Sequence, residues 1–79
     1  MIEGHTDDLP IHTAQFPSNW ELSTARATSA MRFMVGAGIE PVRVGVAGYA
    51  DLRPLQPNDS DEHRARNRRV EFVFLRAER

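Results

Sequence analysis

The pattern of apolar and polar residues predicts one long helix near the start of the chain. Segment 18–35 carries apolar residues at helical spacing. Gly36 and Gly38 then offer positions for a left-handed stop, and Pro41 prevents the helix from continuing. Ser18 and Glu21 have the spacing of a capping box, so we expect the helix to begin there.

The cap of this helix has two candidates in the sequence. Ser18 would accept an early backbone N–H of the helix, while Glu21 reaches back to the serine. Asn19 is the alternative, because asparagine is also favoured at this position.

Three segments have strand character. Residues 1–3 resemble a strand end, and the valines of segment 42–46 alternate with other residues. Segment 70–75 is dense in Val and Phe and predicts a buried strand. Segment 52–60 contains two prolines and predicts a loop, and segment 61–67 predicts a short helical turn.

The order strand, helix, strand, irregular crossover, strand predicts an α/β fold. A strand–helix–strand unit implies a parallel pair of strands joined by a right-handed crossover. The helix must cover one face of the small sheet, so we expect an open two-layer sandwich of the form β-α-β-(loop/short helix)-β.

Arg26 interrupts the apolar arc of the predicted helix. At 100° per residue it falls among the residues that face the sheet. That arc consists of Leu22, Ser23, Ala27, Ala30, Met31, Phe33 and Met34. A buried unpaired charge is costly, so Arg26 either forms a structural ion pair or is a half-exposed guanidinium that binds a carboxylate.

Asp7 is the expected counter-group of Arg26. It follows the first strand, and strand ends and helix N-termini meet at one rim of a parallel α/β unit. Asp7 could cap a turn, or it could receive a ligand ammonium group. Together Asp7 and Arg26 would match the two charges of a zwitterionic amino acid.

Composition limits the other possibilities. The chain has 79 residues, no cysteine and a net charge of −1, which allows one small domain and argues against non-specific nucleic-acid binding. The basic cluster 63–69 has no aromatic stacking platform. The apolar runs are too short to span a bilayer, and the first residues do not resemble a signal peptide.

The chain offers no pattern typical of an enzyme. The three histidines, His5, His12 and His63, show no metal-ligand spacing, and no nucleophile is matched with a base. The adjacent carboxylates of Asp7 and Asp8 are a weak acid–base signal. We therefore expect neither catalysis, nor a bound metal, nor a cofactor.

Four short motifs resemble the OmpA-like peptidoglycan-binding domain across almost the whole chain, residues 1–79. They read Gly4-His5-Thr6-Asp7, Asn19-x-x-Leu22-Ser23-x-x-Arg26-Ala27, Gly48-Tyr49 and Asn67-Arg68-Arg69-Val70-Glu71. The insert at 8–23 is similar to that of the flagellar motor stator family MotB. The resemblance implies that the chain starts inside the second strand of the domain, so we expect the first strand and first helix to be missing.

The resemblance also implies a ligand and a set of binding residues. In this family the domain holds the diaminopimelate-containing peptide stem of peptidoglycan. Asp7 and Arg26 would form the main ligand-binding pair, Asn19 would add a hydrogen bond, and Arg68 would close the pocket. Arg69 would lie on the opposite face as an ordinary charged residue. The implied contact set is completed by Thr6 and Leu22.

Two positions depart from the family pattern. Asp8 stands where asparagine is usual, and His63 stands where glycine is usual before the arginine-rich motif. The turn before that motif is therefore expected to differ.

The resemblance further implies a cellular setting. The domain would be the periplasmic part of an inner-membrane stator protein, joined to its partner subunit MotA through a transmembrane segment outside this chain. A homodimer is possible, and no nucleic-acid partner is expected. The alternative setting is an outer-membrane protein or lipoprotein that carries the same wall-binding module, and the other alternative is an enzyme acting on peptidoglycan.

Overall fold

The computed structural model describes residues 1–74 and forms a three-stranded sheet with helices. The elements are β1 (Ile2–His5), α1 (Asn19–Gly36), a 3-10 turn (Pro41–Arg43), β2 (Val46–Gly48), α2 (Asp61–Asn67) and β3 (Arg69–Phe72). The strand order is β2-β1-β3; β1 is parallel to β2 and antiparallel to β3. The predicted α/β fold, its parallel pair and the short helix at 61–67 are confirmed.

Helix α1 begins where the sequence predicted, and Ser18 is its cap. The Ser18 hydroxyl oxygen accepts the backbone N–H of Trp20 at 3.2 Å. The Glu21 carboxylate accepts the Ser18 hydroxyl at 2.7 Å, so it binds the capping side chain itself. The helix ends at Gly36, followed by Gly38 with a positive φ of 111°.

Helix α1 packs on β1 and β2 through small residues. Ser23 and Ala27 are its buried residues, and both lie on the predicted inward arc. A Cβ atom on Gly4 would overlap the Ser23 carbonyl, so the glycine allows helix and strand to approach closely. Phe33 is 78% exposed, which corrects its place in the buried arc.

Strand β2 begins later than predicted. Segment 42–46 was expected to be extended, but Val42 lies in the 3-10 turn and is 90% exposed. Pro41 favours this turn because its φ is fixed. The turn forms its own backbone hydrogen bonds, because the Arg43 N–H donates to the Glu40 carbonyl at 3.0 Å. The ladder with β1 therefore starts at Val46, which pairs with Ile2.

Strand β3 is shorter and more exposed than predicted. It covers Arg69–Phe72, Val73 and Phe74 lie beyond it, and Leu75 lies outside the described residues. Its residues are half-buried or exposed. Its ladder with β1 runs from Arg69 opposite His5 to Phe72 opposite Ile2, and Val73 continues the contact by exchanging backbone hydrogen bonds with Met1 at 2.8 and 3.1 Å.

The described part of the chain has a small apolar core. The buried apolar residues are Ile2, Ala27 and Ala50. More polar than apolar residues are buried; these are His5, Thr6, Asp7, Ser23 and Asn67. Large apolar side chains such as Phe72 and Phe74 remain exposed. Hydrogen bonds and ion pairs must therefore specify much of this structure.

Among residues 1–74, no helix has both the length and the apolar character needed to cross a membrane.

Candidate ligand-binding rim

The end of β1 and the start of α1 meet at one rim, as the sequence predicted. The Asn19 amide donates to the Leu9 carbonyl at 3.1 Å and approaches the Asp7 carbonyl at 3.5 Å. We use "the rim" for the predicted site residues Thr6, Asp7, Asn19, Leu22, Arg26 and Arg68.

Asp7 is held by both of its carboxylate oxygens. One oxygen accepts the Leu9 backbone N–H at 3.1 Å, which is the turn-capping role expected of an aspartate here. The other accepts Arg68 Nη1 at 2.6 Å. The Asp7 side chain is only 9% exposed. Its charge is therefore fixed in position before any ligand arrives.

Thr6 fixes the backbone beside Asp7. Its N–H donates to the Ala50 carbonyl at 2.8 Å, and its hydroxyl donates to the Asp7 carbonyl at 2.8 Å. Ala50 has a φ of 53°, and its own N–H donates to the Ser23 hydroxyl at 3.1 Å. These bonds join β1, α1 and the turn after β2 directly beneath the rim.

Arg26 has no partner within residues 1–74. It is half-buried, and its guanidinium forms neither an ion pair nor a hydrogen bond with any residue of that range. The structural ion pair weighed for it is therefore not formed there. The guanidinium that pairs with Asp7 belongs to Arg68. The expectation that Asp7 is the counter-group of Arg26 is therefore wrong as a direct contact between the two side chains.

Arg26 nevertheless shares a face of α1 with Asn19. The two residues are seven apart, which corresponds to nearly two helical turns. Leu22 lies between them and is half-buried; its N–H serves the first turn by donating to the Ser18 carbonyl at 3.2 Å. The predicted site residues on α1 therefore lie on one side of the helix.

Arg68 and Arg69 have different environments. Arg68 is 43% exposed and reaches the rim from the C-terminal cap of α2. Arg69 is 14% exposed and donates to the carbonyls of Asn67 and Arg53 and to the Glu71 carboxylate. Arg69 is the ladder partner of His5 and so lies on the sheet face away from α1, as expected, but it is not an ordinary charged residue, because these bonds hold it in place.

Sequence reasoning did not identify the role of Asn67. This residue is fully buried, and its side-chain oxygen accepts the N–H groups of Leu55 and Gln56 at 2.8 and 3.0 Å. Its amide donates to the Gln56 carbonyl and to the Asn58 side chain. Asn67 therefore ties the crossover loop to the end of α2, directly before Arg68. An asparagine between charged residues at a helix end was the available signal.

Asp8, one of the two departures from the family pattern, pairs with another charged residue. Its carboxylate lies 3.3 Å from Arg64 Nε. Arg64 also donates to the Asn58 carbonyl at 3.2 Å. The pair is partly exposed, so its net contribution to stability is small. It links the loop after β1 to α2.

The charges of the rim match an anionic or zwitterionic ligand. The rim contains two arginines, Arg26 and Arg68, and one carboxylate, Asp7. Arg68 already pairs with that carboxylate. The guanidinium of Arg26 is therefore the group available to bind a ligand carboxylate through a fork of N–H donors.

Comparison with known proteins identifies relatives. Residues 1–68 match the OmpA family. The chain is 42% identical over 78 residues to the uncharacterized protein YtxE of Bacillus subtilis, which covers 98% of this chain and 32% of the relative. It is 36% identical over 73 residues to Motility protein B of Helicobacter pylori. This match covers 92% of this chain and 28% of the relative. It is 45% identical over 72 residues to Outer membrane protein A of Bordetella avium, with coverages of 91% and 35%. The chain thus spans about a third of these relatives.

Solved structures share the fold. The C-terminal domain of Helicobacter pylori MotB superimposes with a TM-score of 0.91 at 35% identity, covering 98% of this chain and 58% of that one. The cell wall anchor of the T6SS from Pseudomonas aeruginosa gives a TM-score of 0.82 at 42% identity, with coverages of 87% and 48%.

These findings define a class of protein: a small α/β domain in which one long helix covers a mixed three-stranded sheet. The chain belongs to the OmpA family, and the periplasmic C-terminal domain of MotB is among its homologues and structural neighbours.

Proposed function

We propose that this chain binds peptidoglycan without chemical turnover, through the diaminopimelate-containing peptide stem. The observation that carries the proposal is the state of Arg26, a half-buried guanidinium without a partner in residues 1–74. Such a group is costly to desolvate alone, so a ligand carboxylate would stabilise it.

The other rim residues fit a ligand with an amine beside its carboxylate. Asp7 would receive the ammonium group and share its charge with Arg68, which is exposed enough to move aside or to close over the ligand. The Asn19 amide, which donates to the Leu9 carbonyl, would add a hydrogen bond, and Thr6 and Leu22 would complete the contact set. Diaminopimelate offers both charges on one short side chain.

The basic cluster does not favour nucleic acid as the partner. Most of its charged side chains approach carboxylates within residues 1–74, with Arg66 as the exception: Arg64 approaches Asp8 and Asp61, Arg68 approaches Asp7, Arg69 approaches Glu71, and His63 approaches Asp59. Counterion release from DNA needs unpaired cations. We expect only weak DNA binding that moderate salt removes.

The proposed setting is the periplasmic side of a flagellar stator complex. Motility protein B is a relative, and the structural neighbour from Pseudomonas aeruginosa is a cell wall anchor. In this setting the domain would connect to MotA through a transmembrane segment, act as a homodimer and hold the motor against the wall. A second setting, an outer-membrane protein or lipoprotein, is favoured by the 45% identity to Outer membrane protein A. Sequencing the gene upstream of Met1 would distinguish a transmembrane helix from a barrel or lipobox.

A pull-down with insoluble sacculi tests the binding proposal. Arg26→Ala should lose about 2–5 kcal/mol of binding free energy if the charge pair is desolvated, and Asp7→Asn should also bind more weakly. Arg32→Ala is the matched control, because Arg32 is an exposed arginine on the same helix. Circular dichroism first confirms that each variant is folded. Unchanged binding by both rim variants would disprove the assignment.

A further inference from the structure

A second cluster of polar side chains lies on the sheet face opposite helix α1. Gly4 faces the helix, so its neighbours Glu3 and His5 point to the other face. Glu71 of β3 is the ladder partner of Glu3 and joins them there. No member of this cluster belongs to the rim.

His5 is the unusual member of the cluster. It is 1% exposed, and within residues 1–74 neither ring nitrogen has a hydrogen-bond partner. Buried polar atoms are nearly always satisfied, so this exception calls for an explanation. Nε2 points between two carboxylates, lying 3.4 Å from Glu3 Oε1 and 3.3 Å from Glu71 Oε2.

The spacing of these atoms suits a metal ion better than a hydrogen bond. A tetrahedral zinc ion holds nitrogen and oxygen ligands at about 2.0–2.2 Å, which places those ligands about 3.3–3.5 Å from one another. Both His5–carboxylate distances agree with this spacing, and the potential ligand atoms of all three residues lie within 4.8 Å of one another.

Neighbouring side chains hold His5 and Glu71 in place. The His5 ring stacks on Tyr49, with centroids 5.4 Å apart, and the Arg53 guanidinium lies 3.8 Å from the centre of the Tyr49 ring. Arg69 Nη2 lies 2.9 Å from Glu71 Oε2 and is itself bound to backbone carbonyls. Because it donates to the Glu71 carboxylate, Arg69 can fix the orientation in which that carboxylate would bind an ion.

We propose that Glu3, His5 and Glu71 form a binding site for a zinc-like divalent transition-metal ion. One imidazole and two carboxylates compensate the ion's charge and leave a fourth position for water. The ion would join β1 to β3. Its role would be structural, because a small domain without cysteine, in which only Ile2, Ala27 and Ala50 are buried apolar residues within 1–74, gains stability from such a cross-link.

The test is titration of the full chain, freed of metal with a chelator, with ZnCl2 by calorimetry. One ion per chain should bind, and it should raise the melting temperature. Glu3→Gln and Glu71→Gln should each weaken zinc binding by more than about tenfold. His63→Gln is the matched control, since His63 and Asp59 form an exposed His–carboxylate pair elsewhere. Zinc binding that is lost in this control but kept in Glu3→Gln would overturn the proposal.

A second measurement does not depend on substitutions. Long-range proton–nitrogen NMR of the unaltered chain should show zinc shifting Nε2 of His5, with Nδ1 keeping its proton. The absence of saturable zinc binding, or a shift confined to His12 or His63, would refute the site.

Discussion

Arg68 reaches across the fold to Asp7: its Nη1 lies 2.6 Å from the carboxylate of a residue 61 positions earlier in the chain. The pair joins the cap of α2 to the end of β1. It also means that the carboxylate of the rim is already neutralised, while Arg26 has no partner within residues 1–74. Asp7 is therefore not a free carboxylate within residues 1–74.

Substitution of Arg68 and Arg69 should separate binding from stability. Arg68→Ala should lower peptidoglycan binding clearly, because it removes a partly exposed rim cation. Arg69→Ala should instead lower the free energy of unfolding by about 1–3 kcal/mol, because the carbonyls it binds lose a charged donor. Sacculus pull-down and urea unfolding on both variants check this. Equal losses of binding with equal stabilities would contradict the distinction.

Gly4→Ala should destabilise the domain by about 1–3 kcal/mol or more, because the new methyl group would overlap the Ser23 carbonyl. The backbone of α1 would have to move away from β1. Gly36→Ala is the control, since nothing lies within 4 Å of a Cβ at that position. Chemical denaturation measures both, and similar stabilities for the two variants would show that the helix does not approach as closely as described.

Asn67→Ala should cost about 2–3 kcal/mol of stability, because the amides of Leu55 and Gln56 lose their acceptor. The loop at 55–58 should loosen, and its amide hydrogens should exchange faster. Asn58→Ala removes only the hydrogen bond that the Asn67 amide donates to the Asn58 side chain, so it should cost less stability. Unchanged amide exchange at 55–58 in Asn67→Ala would show that Asn67 does not hold this loop in place.

Stability should fall on acidification through the range where free histidine titrates. Burial, and then the charge of Arg69, lower the pKa of His5 below its ordinary value of 6.5, although Glu71 and Glu3 act in the opposite direction. As the pH falls through about 6.5, His5 of the unfolded chain therefore binds a proton, while His5 of the folded chain remains neutral. The loss reaches at most about 1.4 kcal/mol per pH unit and stops below the lowered pKa.

The measurement is urea unfolding between pH 7.5 and 5.5 with a chelator present. His5→Phe keeps a ring against Tyr49 but cannot titrate, so its stability should depend less on pH. An equal or steeper dependence in His5→Phe would assign the effect to other groups.

The sequence by itself determined the features that depend on neighbouring residues. Ser18 and Glu21 located the start of α1, and Gly38 with its positive φ marked its end, because capping and left-handed stops are local. The position of Asp7 after a strand and of Asn19 at a helix start placed both at one rim. Arg26 could be singled out because helical periodicity follows directly from residue number.

Tertiary structure decided which residues meet across the sheet and between distant segments. The pairing of Glu3 with Glu71, the choice of Arg68 as partner of Asp7, and the burial of Arg69 all join residues far apart in sequence. Only the ladder shows that β2 begins at Val46 opposite Ile2, whereas Val42 is held in the turn that begins at Pro41. The close approach of α1 to Gly4 is likewise a tertiary feature, because it exists only once helix and sheet have packed together.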